Sequence, residues 1–200
     1  MTTSPLDRLG LRERKKLKTR RAIQEHALRL FLSEGYDATT VEQIAAAAEV
    51  SPSTFFRYFP TKEDVVITDE YDPLIAESLR RQPAELSPVE ALRRTLREIV
   101  GLMLVTDRQR ILERVRLSMS VPALRARQWE NTQETQRLIA RMVAERLGRS
   151  PDEFELRAFS AALLGVWQVT IMTWVEDGGE GDVLALLEQA LDYLSAGCPL

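Results

Sequence analysis

Residues 39–62 read TTVEQIAAAAEVSPSTFFRYFPTK, and the organisation of the whole chain follows from this stretch. Thr39 and Thr40 can each cap a helix, and Glu42 stands three residues after Thr39, the spacing of a capping box. Ala45 to Ala48 then supply a slim body of high helix propensity. A second start follows at once: Ser51 is an N-cap residue and Pro52 takes the first helical position, where a missing N–H costs nothing. Only Ser53 to Phe59 remain for this second helix, barely two turns, which cannot hold themselves in water. Its aromatic residues must anchor it, leaving the small hydroxyls near its N-terminus to face outward. Two short helices joined by a tight turn form the layout of a helix-turn-helix reader of the DNA major groove. On this reading Ser51, Ser53, Thr54 and Phe55 lie at the exposed start of the recognition helix, and Thr40, Tyr58 and Lys62 are placed for phosphates.

The charge distribution fits a nucleic-acid partner although the total does not. The 200-residue chain carries a formal net charge of −3. Residues 1–64 hold eleven Lys or Arg against nine Asp or Glu, whereas the remainder holds sixteen against twenty-one. Between Arg8 and Arg21 stand Arg8, Arg12, Arg14, Lys15, Lys16, Lys18, Arg20 and Arg21, with Glu13 the one acid. A charge run is by default a solvated face. Directly upstream of a helix-turn-helix it reads as a DNA arm, with Lys18 and Arg20 its candidate contacts, because each cation near the backbone adds to phosphate affinity.

Elsewhere the apolar spacing is helical and no segment alternates with strand period, so an all-α fold of about nine helices is expected. The first helix carries Leu17, Ile23, Ala27, Leu30 and Phe31 inward and ends at Gly35. Residues 62–78 read as a connecting helix that Pro73 kinks or divides, and 82–88 as a linker. Further helices start at Ser87-Pro88, Asp107, Pro122, Ser150-Pro151 and Asp182. Two domains follow: a basic arm and helix-turn-helix over 1–64, and a helical effector-binding and dimerisation domain over 65–200.

In the helix ending at Glu176, Phe159, Ala162, Leu163, Val166 and Thr170 form one stripe, and Ser160, Leu164, Trp167, Ile171 and Trp174 form another. A helix apolar on two faces needs two partners, and the simplest second partner is another copy of the chain. Leu164, Trp167, Ile171 and Trp174 are therefore the candidate dimer interface, with the last two helices of each protomer making a four-helix contact. Met103, Trp129, Phe159 and Leu163 are candidates for an adaptable apolar ligand site between helices, although such residues are more often ordinary core.

Other functional classes find little support. Met1 to Gly10 has no apolar secretory core. The uncharged run 158–175 is just long enough to span a bilayer, but Ser160, Gln168, Thr170 and Thr173 interrupt it, and a doubly buried helix is expected in place of a membrane segment. Cys198 is the single cysteine, so no intrachain disulfide or cysteine metal cluster can form, and a reducing cytoplasm is the expected compartment. The single histidine, His26, sits among apolar and basic neighbours; there is no HExxH and no glycine-rich phosphate loop, and Glu153 and Glu155 fall on different helix faces. Neither an enzyme nor a metal or other cofactor is expected.

Ile44-Ala45, Val50-Ser51, the run Thr54-Phe55-Phe56-Arg57-Tyr58-Phe59 and Lys62-Glu63-Asp64-Val65 together resemble the N-terminal domain of TetR-type transcriptional regulators over about fifty residues. One position departs from the family: Phe56 stands where a phosphate-contacting tyrosine is usual, which moves the phosphate role to Tyr58 and Lys62 and leaves Phe56 for packing or a thymine methyl. The resemblance implies a repressor that binds a palindromic double-stranded operator as a homodimer through its last two helices and is released by a small molecule. A DNA-binding dimer without an effector is the alternative. The chain also resembles an actinobacterial subset responsive to long-chain acyl-CoA, which implies a hydrophobic or acyl-type effector whose phosphates Arg108, Arg110, Arg114 and Arg116 would meet, whereas by themselves these arginines read as a solvated basic face.

Overall fold

A computed structural model gives the architecture. It describes residues 10–68 and 71–199, with the backbone alone of Glu13, Asp72, Pro73 and Thr106. The Arg8 end of the expected arm and the segment 1–9 lie outside the described residues. Among those described there are nine helices and no strands: α1 Leu11–Glu34, α2 Val41–Ala47, α3 Pro52–Tyr58, α4 Asp64–Ile67, α5 Asp72–Arg81, α6 Pro88–Ser120, α7 Pro122–Leu147, α8 Phe154–Glu176 and α9 Val183–Ser195.

The connecting helix over 62–78 is divided in two, α4 and α5, one of the two outcomes expected of Pro73, which lies in the first turn of α5 where its missing N–H is tolerated. The helices expected to start at Ser87-Pro88 and at Asp107 meet within α6 at a kink, where the backbone of Asp107 is non-helical (φ −141°, ψ 15°). Asp107 is held there by its neighbours: its carboxylate accepts from the Tyr71 hydroxyl at 2.5 Å and pairs with Arg110 at 2.9 Å.

The chain divides into two compact units. Among the described residues, one holds 10–68 together with Leu117–Gln128, and the other holds Tyr71–Arg116 with 129–199. This differs from an expected boundary at residue 64, because the elbow between α6 and α7 belongs with the N-terminal helices. Leu117 and Leu124 enter the same core as Ile23, Ala27, Phe31, Ile44, Phe55, Phe59 and Val65. Sequence spacing shows neither leucine's partners, since both lie in helices that read as ordinary amphipathic segments.

The second unit has its own core, in which Leu92, Ile99 and Met103 of α6, Val143 of α7, Leu163 and Trp174 of α8, and Leu187 and Leu191 of α9 are buried together. Asp182 caps α9, its carboxylate accepting from the amides of Leu184 at 3.0 Å and Ala185 at 3.2 Å. Arg93 and Arg97 of α6 both pair with Glu188 of α9, and Arg93 also reaches Asp192 at 2.7 Å. Burial alone would oppose ionisation of Glu188, but the hydrogen bonds and charges of Arg93 and Arg97 outweigh it and hold the carboxyl below its ordinary value.

Candidate nucleic-acid interface

The two short helices form where the sequence places them, with one change in the capping. Thr40, not Thr39, is the N-cap of α2: its hydroxyl accepts from the Gln43 amide at 3.2 Å while the Gln43 side chain accepts from the Thr40 amide at 2.7 Å. The capping box is thus Thr40 with Gln43, one residue later than the expected Thr39 with Glu42. Thr39 is buried and donates to the Gly35 carbonyl at 2.8 Å. The turn after α2 closes as a Schellman motif: Val50 N donates to Ala45 O at 2.9 Å and Glu49 N to Ala46 O at 3.1 Å. Glu49 takes the left-handed conformation this requires (φ 55°).

α3 starts at Ser51, whose hydroxyl accepts from the Thr54 amide at 3.1 Å. Ser51 Oγ also lies 2.9 Å from Ser53 Oγ and 3.0 Å from Thr54 Oγ1, so three hydroxyls cluster at the open end of the helix. Phe55 and Phe59 are fully buried and fix the helix to its unit, with their ring centroids 5.8 Å apart. The expectation that Phe55 faces DNA is therefore corrected. Phe56 is the exposed aromatic (50%), standing edge-on to Phe55 at 5.4 Å. One helical turn from Ser53 lie Phe56 and Arg57, both exposed. The outward face of α3 is Ser51, Ser53, Phe56 and Arg57, with Thr54 half-buried beside them. Arg57 was not among the expected contacts; counting three and four residues on from Ser53 finds it.

Of the expected phosphate contacts, Thr40 is exposed at the start of α2 and Tyr58 is half-buried at the end of α3. Lys62 turns inward. Its ammonium donates to the carbonyls of Tyr36 at 2.9 Å and Thr39 at 3.1 Å and lies 4.1 Å from the Tyr36 ring centroid. It therefore sits under the N-terminus of α2, next to Thr40, with two of its three protons already used. The Tyr36 phenol donates to Glu63 at 2.6 Å; burial first, and then that carboxylate, push its pKa well above the ordinary value.

Arg20 is a correction of the same kind. Its guanidinium donates to the Thr68 hydroxyl at 2.5 Å and the Tyr58 carbonyl at 3.4 Å and lies 4.5 Å above the Phe59 ring. Arg20 ties α1 to the end of α3 and is not a free DNA contact. Lys18, with Arg12, Arg14, Lys15 and Lys16, is exposed.

In the second unit Met103 and Leu163 are buried and Phe159 is half-buried against the same core. Trp129 does not join them: it is 69% exposed on α7. Among the four arginines, Arg108 donates to the Gly179 carbonyl and stacks 5.8 Å from the Trp174 ring, and Arg110 pairs with Asp107, so neither is free for a phosphate. Gly179 takes the left-handed conformation (φ 79°), and a Cβ there would stand 2.8 Å from Leu112 Cδ2.

The expected dimer face is corrected at Trp174. Trp174 is 1% exposed and donates from Nε1 to the Gly181 carbonyl at 3.1 Å. Trp167 and Ile171 are half-buried against their own core, and Leu164 is half-buried. The apolar stripe that α8 leaves open is a third one: Phe154, Ala158, Ala161, Val169 and Met172. Hydropathy could not choose among the faces because α8 is apolar nearly all round. α8 is also the one helix among the described residues long and apolar enough to cross a membrane.

Residues 23–67 match the model of the bacterial regulatory proteins of the tetR family, and residues 86–199 match the MftR C-terminal domain. The chain is 35% identical over 196 residues to the HTH-type transcriptional regulator TcmR of Streptomyces glaucescens, covering 92% of this chain and 86% of that one. It is 25% identical to the putative mycofactocin biosynthesis transcriptional regulator MftR of Mycobacterium tuberculosis, covering 92% and 93%. Among solved structures, FadR of Thermus thermophilus, a TetR family repressor in complex with lauroyl-CoA, aligns with a TM-score of 0.59 at 28% identity over 90% of this chain and 95% of that one. By these matches, with a helix-turn-helix in the first unit, the chain belongs to the TetR family of transcriptional regulators and not to a family of enzymes.

Proposed function

We propose that this regulator is a cytoplasmic repressor that binds a palindromic operator as a homodimer and is released by a hydrophobic or acyl-type small molecule. The observation that carries the DNA reading is the outward face of α3. Ser51, Ser53, Phe56 and Arg57 are presented on a helix of seven residues that Phe55 and Phe59 lock from beneath. Serine hydroxyls and arginine read base edges, and an exposed phenyl ring suits a thymine methyl. Thr40 at the start of α2 and Tyr58 at the end of α3 serve as the phosphate contacts that set the register.

The homodimer is supported by the exposed stripe of α8, in which Phe154 (79%) and Val169 (65%) stand open to solvent. A contiguous apolar face of this kind marks an interaction surface. Tyr193 of α9, 40% exposed, lies on the helix that packs against α8 and extends the same interface. Two such helices from each protomer make a four-helix contact.

For the effector, support comes from the relative bound to lauroyl-CoA, at 28% identity over nearly the whole chain. Met103, Phe159 and Leu163 lie in one core and can line an apolar tail site between helices. Titrating the DNA complex with lauroyl-CoA tests this. Release of DNA is expected, and by linkage DNA must weaken lauroyl-CoA binding by the same factor, typically about 5- to 150-fold. A panel of acyl-CoAs, fatty acids and apolar drugs that neither shifts the melting temperature nor releases DNA would leave a dimeric DNA-binding protein without an effector.

A further inference from the structure

The first two turns of α1 carry Arg12, Arg14, Lys15, Lys16 and Lys18, all exposed. They contribute nothing to a core: Leu11 is open to solvent, and the first fully buried side chain on the helix is Ile23. The stretch also lacks the supports of a helix start. Gly10 at the N-cap offers no side-chain hydrogen bond to the first amides. The cations stand at the positive end of the helix dipole, where anions are the favoured charge. Arg12 with Lys15, Arg12 with Lys16, Arg14 with Lys18 and Lys15 with Lys18 are three or four residues apart, the spacing at which like charges on a helix repel. Among the described side chains of residues 11–18 Leu17 alone is half-buried, so these two turns draw little support from packing.

The root of this run is fixed firmly. Arg20 bonds the Tyr58 carbonyl at the end of α3 and the Thr68 hydroxyl after α4, and it covers the Phe59 ring. Gln24, one turn on, donates to the carbonyls of Val65 at 3.2 Å and Thr68 at 2.8 Å. The basic turns therefore extend from a part of α1 that is fixed against the end of the recognition helix.

We infer that residues 11–18 form a spur whose helix is completed on the backbone phosphates of duplex DNA, outside the groove that α3 reads. Without DNA the spur frays. On DNA the phosphates relieve both the mutual repulsion of the cations and their conflict with the helix dipole. Its occupant is the sugar–phosphate backbone of a duplex, because cations at nearly every exposed position neutralise phosphates without regard to base sequence. The spur rests on the DNA-binding reading above and adds to it a second, sequence-independent contact zone whose folding is coupled to binding.

Hydrogen exchange of the full-length protein, free and bound to a duplex it has itself selected from a random-sequence pool, tests the spur. The amides of Lys15 to Lys18 should exchange freely without DNA and become protected on the duplex, while those from Ile23 to Phe31 stay protected in both. In parallel, Lys15→Gln with Lys16→Gln should reduce the salt slope of binding by about one unit per cation lost, roughly two per protomer. The preferred sequence and the melting temperature should not move. Equal protection with and without DNA, no protection on DNA, or an unchanged salt slope would each overturn the spur and leave the DNA-binding reading in place. Failure of the wild-type protein to select any duplex would defeat both.

Discussion

Arg127 Nε lies 2.8 Å from Asp64 Oδ1, joining the first turns of α7 to the first residue of α4. Asp64 is 1% exposed, and its second oxygen accepts from the Thr61 amide at 3.0 Å. With Leu117 and Leu124 in the same core, this pair makes the α6–α7 elbow part of the unit that carries α3. Removing the arginine strands a buried carboxylate. Arg127→Ala should therefore destabilise the protein by about 3 kcal/mol, and Arg127→Lys by less, as read by denaturant unfolding. A loss below about 1 kcal/mol would mean that the pair is open to water in solution.

Phe55 and Phe56 are neighbours with opposite duties, one fully buried and one half-exposed. Phe55→Ala should cost about 3–5 kcal/mol of stability through lost burial and the cavity it leaves. Phe56→Ala should leave stability nearly unchanged and instead alter which bases are preferred. Parallel thermal melts and sequence selections separate the two effects. The assignment of Phe56 to the groove fails if its alanine variant selects the same sequence with the same affinity.

The local grammar of helix starts made much of this fold legible: the caps at Ser51 and Asp182, the Pro52 position and the stop at Gly35 are all realised. Tertiary packing was not legible. Arg20 and Lys62 read as free cations because nothing local reveals that the carbonyls of Tyr58, Tyr36 and Thr39 lie within their reach. Trp174 read as an interface residue because α8 is apolar on every side, and only the packing of its own unit shows which stripe remains open. In α3, a strict helical count from Ser53 would have preferred Phe56 and Arg57 to Phe55.

The corrected dimer face makes a discriminating pair of variants. Val169→Glu places a charge in the middle of the open stripe and should yield a folded monomer with weakened DNA binding. Trp174→Glu buries that charge in the protomer's own core and should unfold the domain instead of dissociating it. Sedimentation and circular dichroism on both variants distinguish these outcomes. A Val169→Glu protein that remains dimeric at micromolar concentration would move the interface elsewhere.

Glu188 carries a pH signature. Because Arg93 and Arg97 hold its folded-state pKa below the ordinary carboxylate value, its contribution to stability is complete above about pH 4.5 and is lost as pH falls through the lowered folded value. Glu188→Gln should thus be less stable than the parent near pH 7, by about 1 kcal/mol for this partly exposed network. The gap should close on the acid side of the ordinary carboxylate range. Urea unfolding at a series of pH values measures it, and a gap independent of pH would show that the three side chains do not act as an ion-pair network.

Selecting duplexes from a random-sequence pool with the full-length protein measures whether a twofold-symmetric protein reads duplex DNA through the outward face of α3. A palindrome whose half-site centres lie about 34–36 Å apart, or a multiple of that spacing, should be enriched and bound by an even number of protomers. No enrichment, or an asymmetric sequence bound by a single protomer, would contradict that reading.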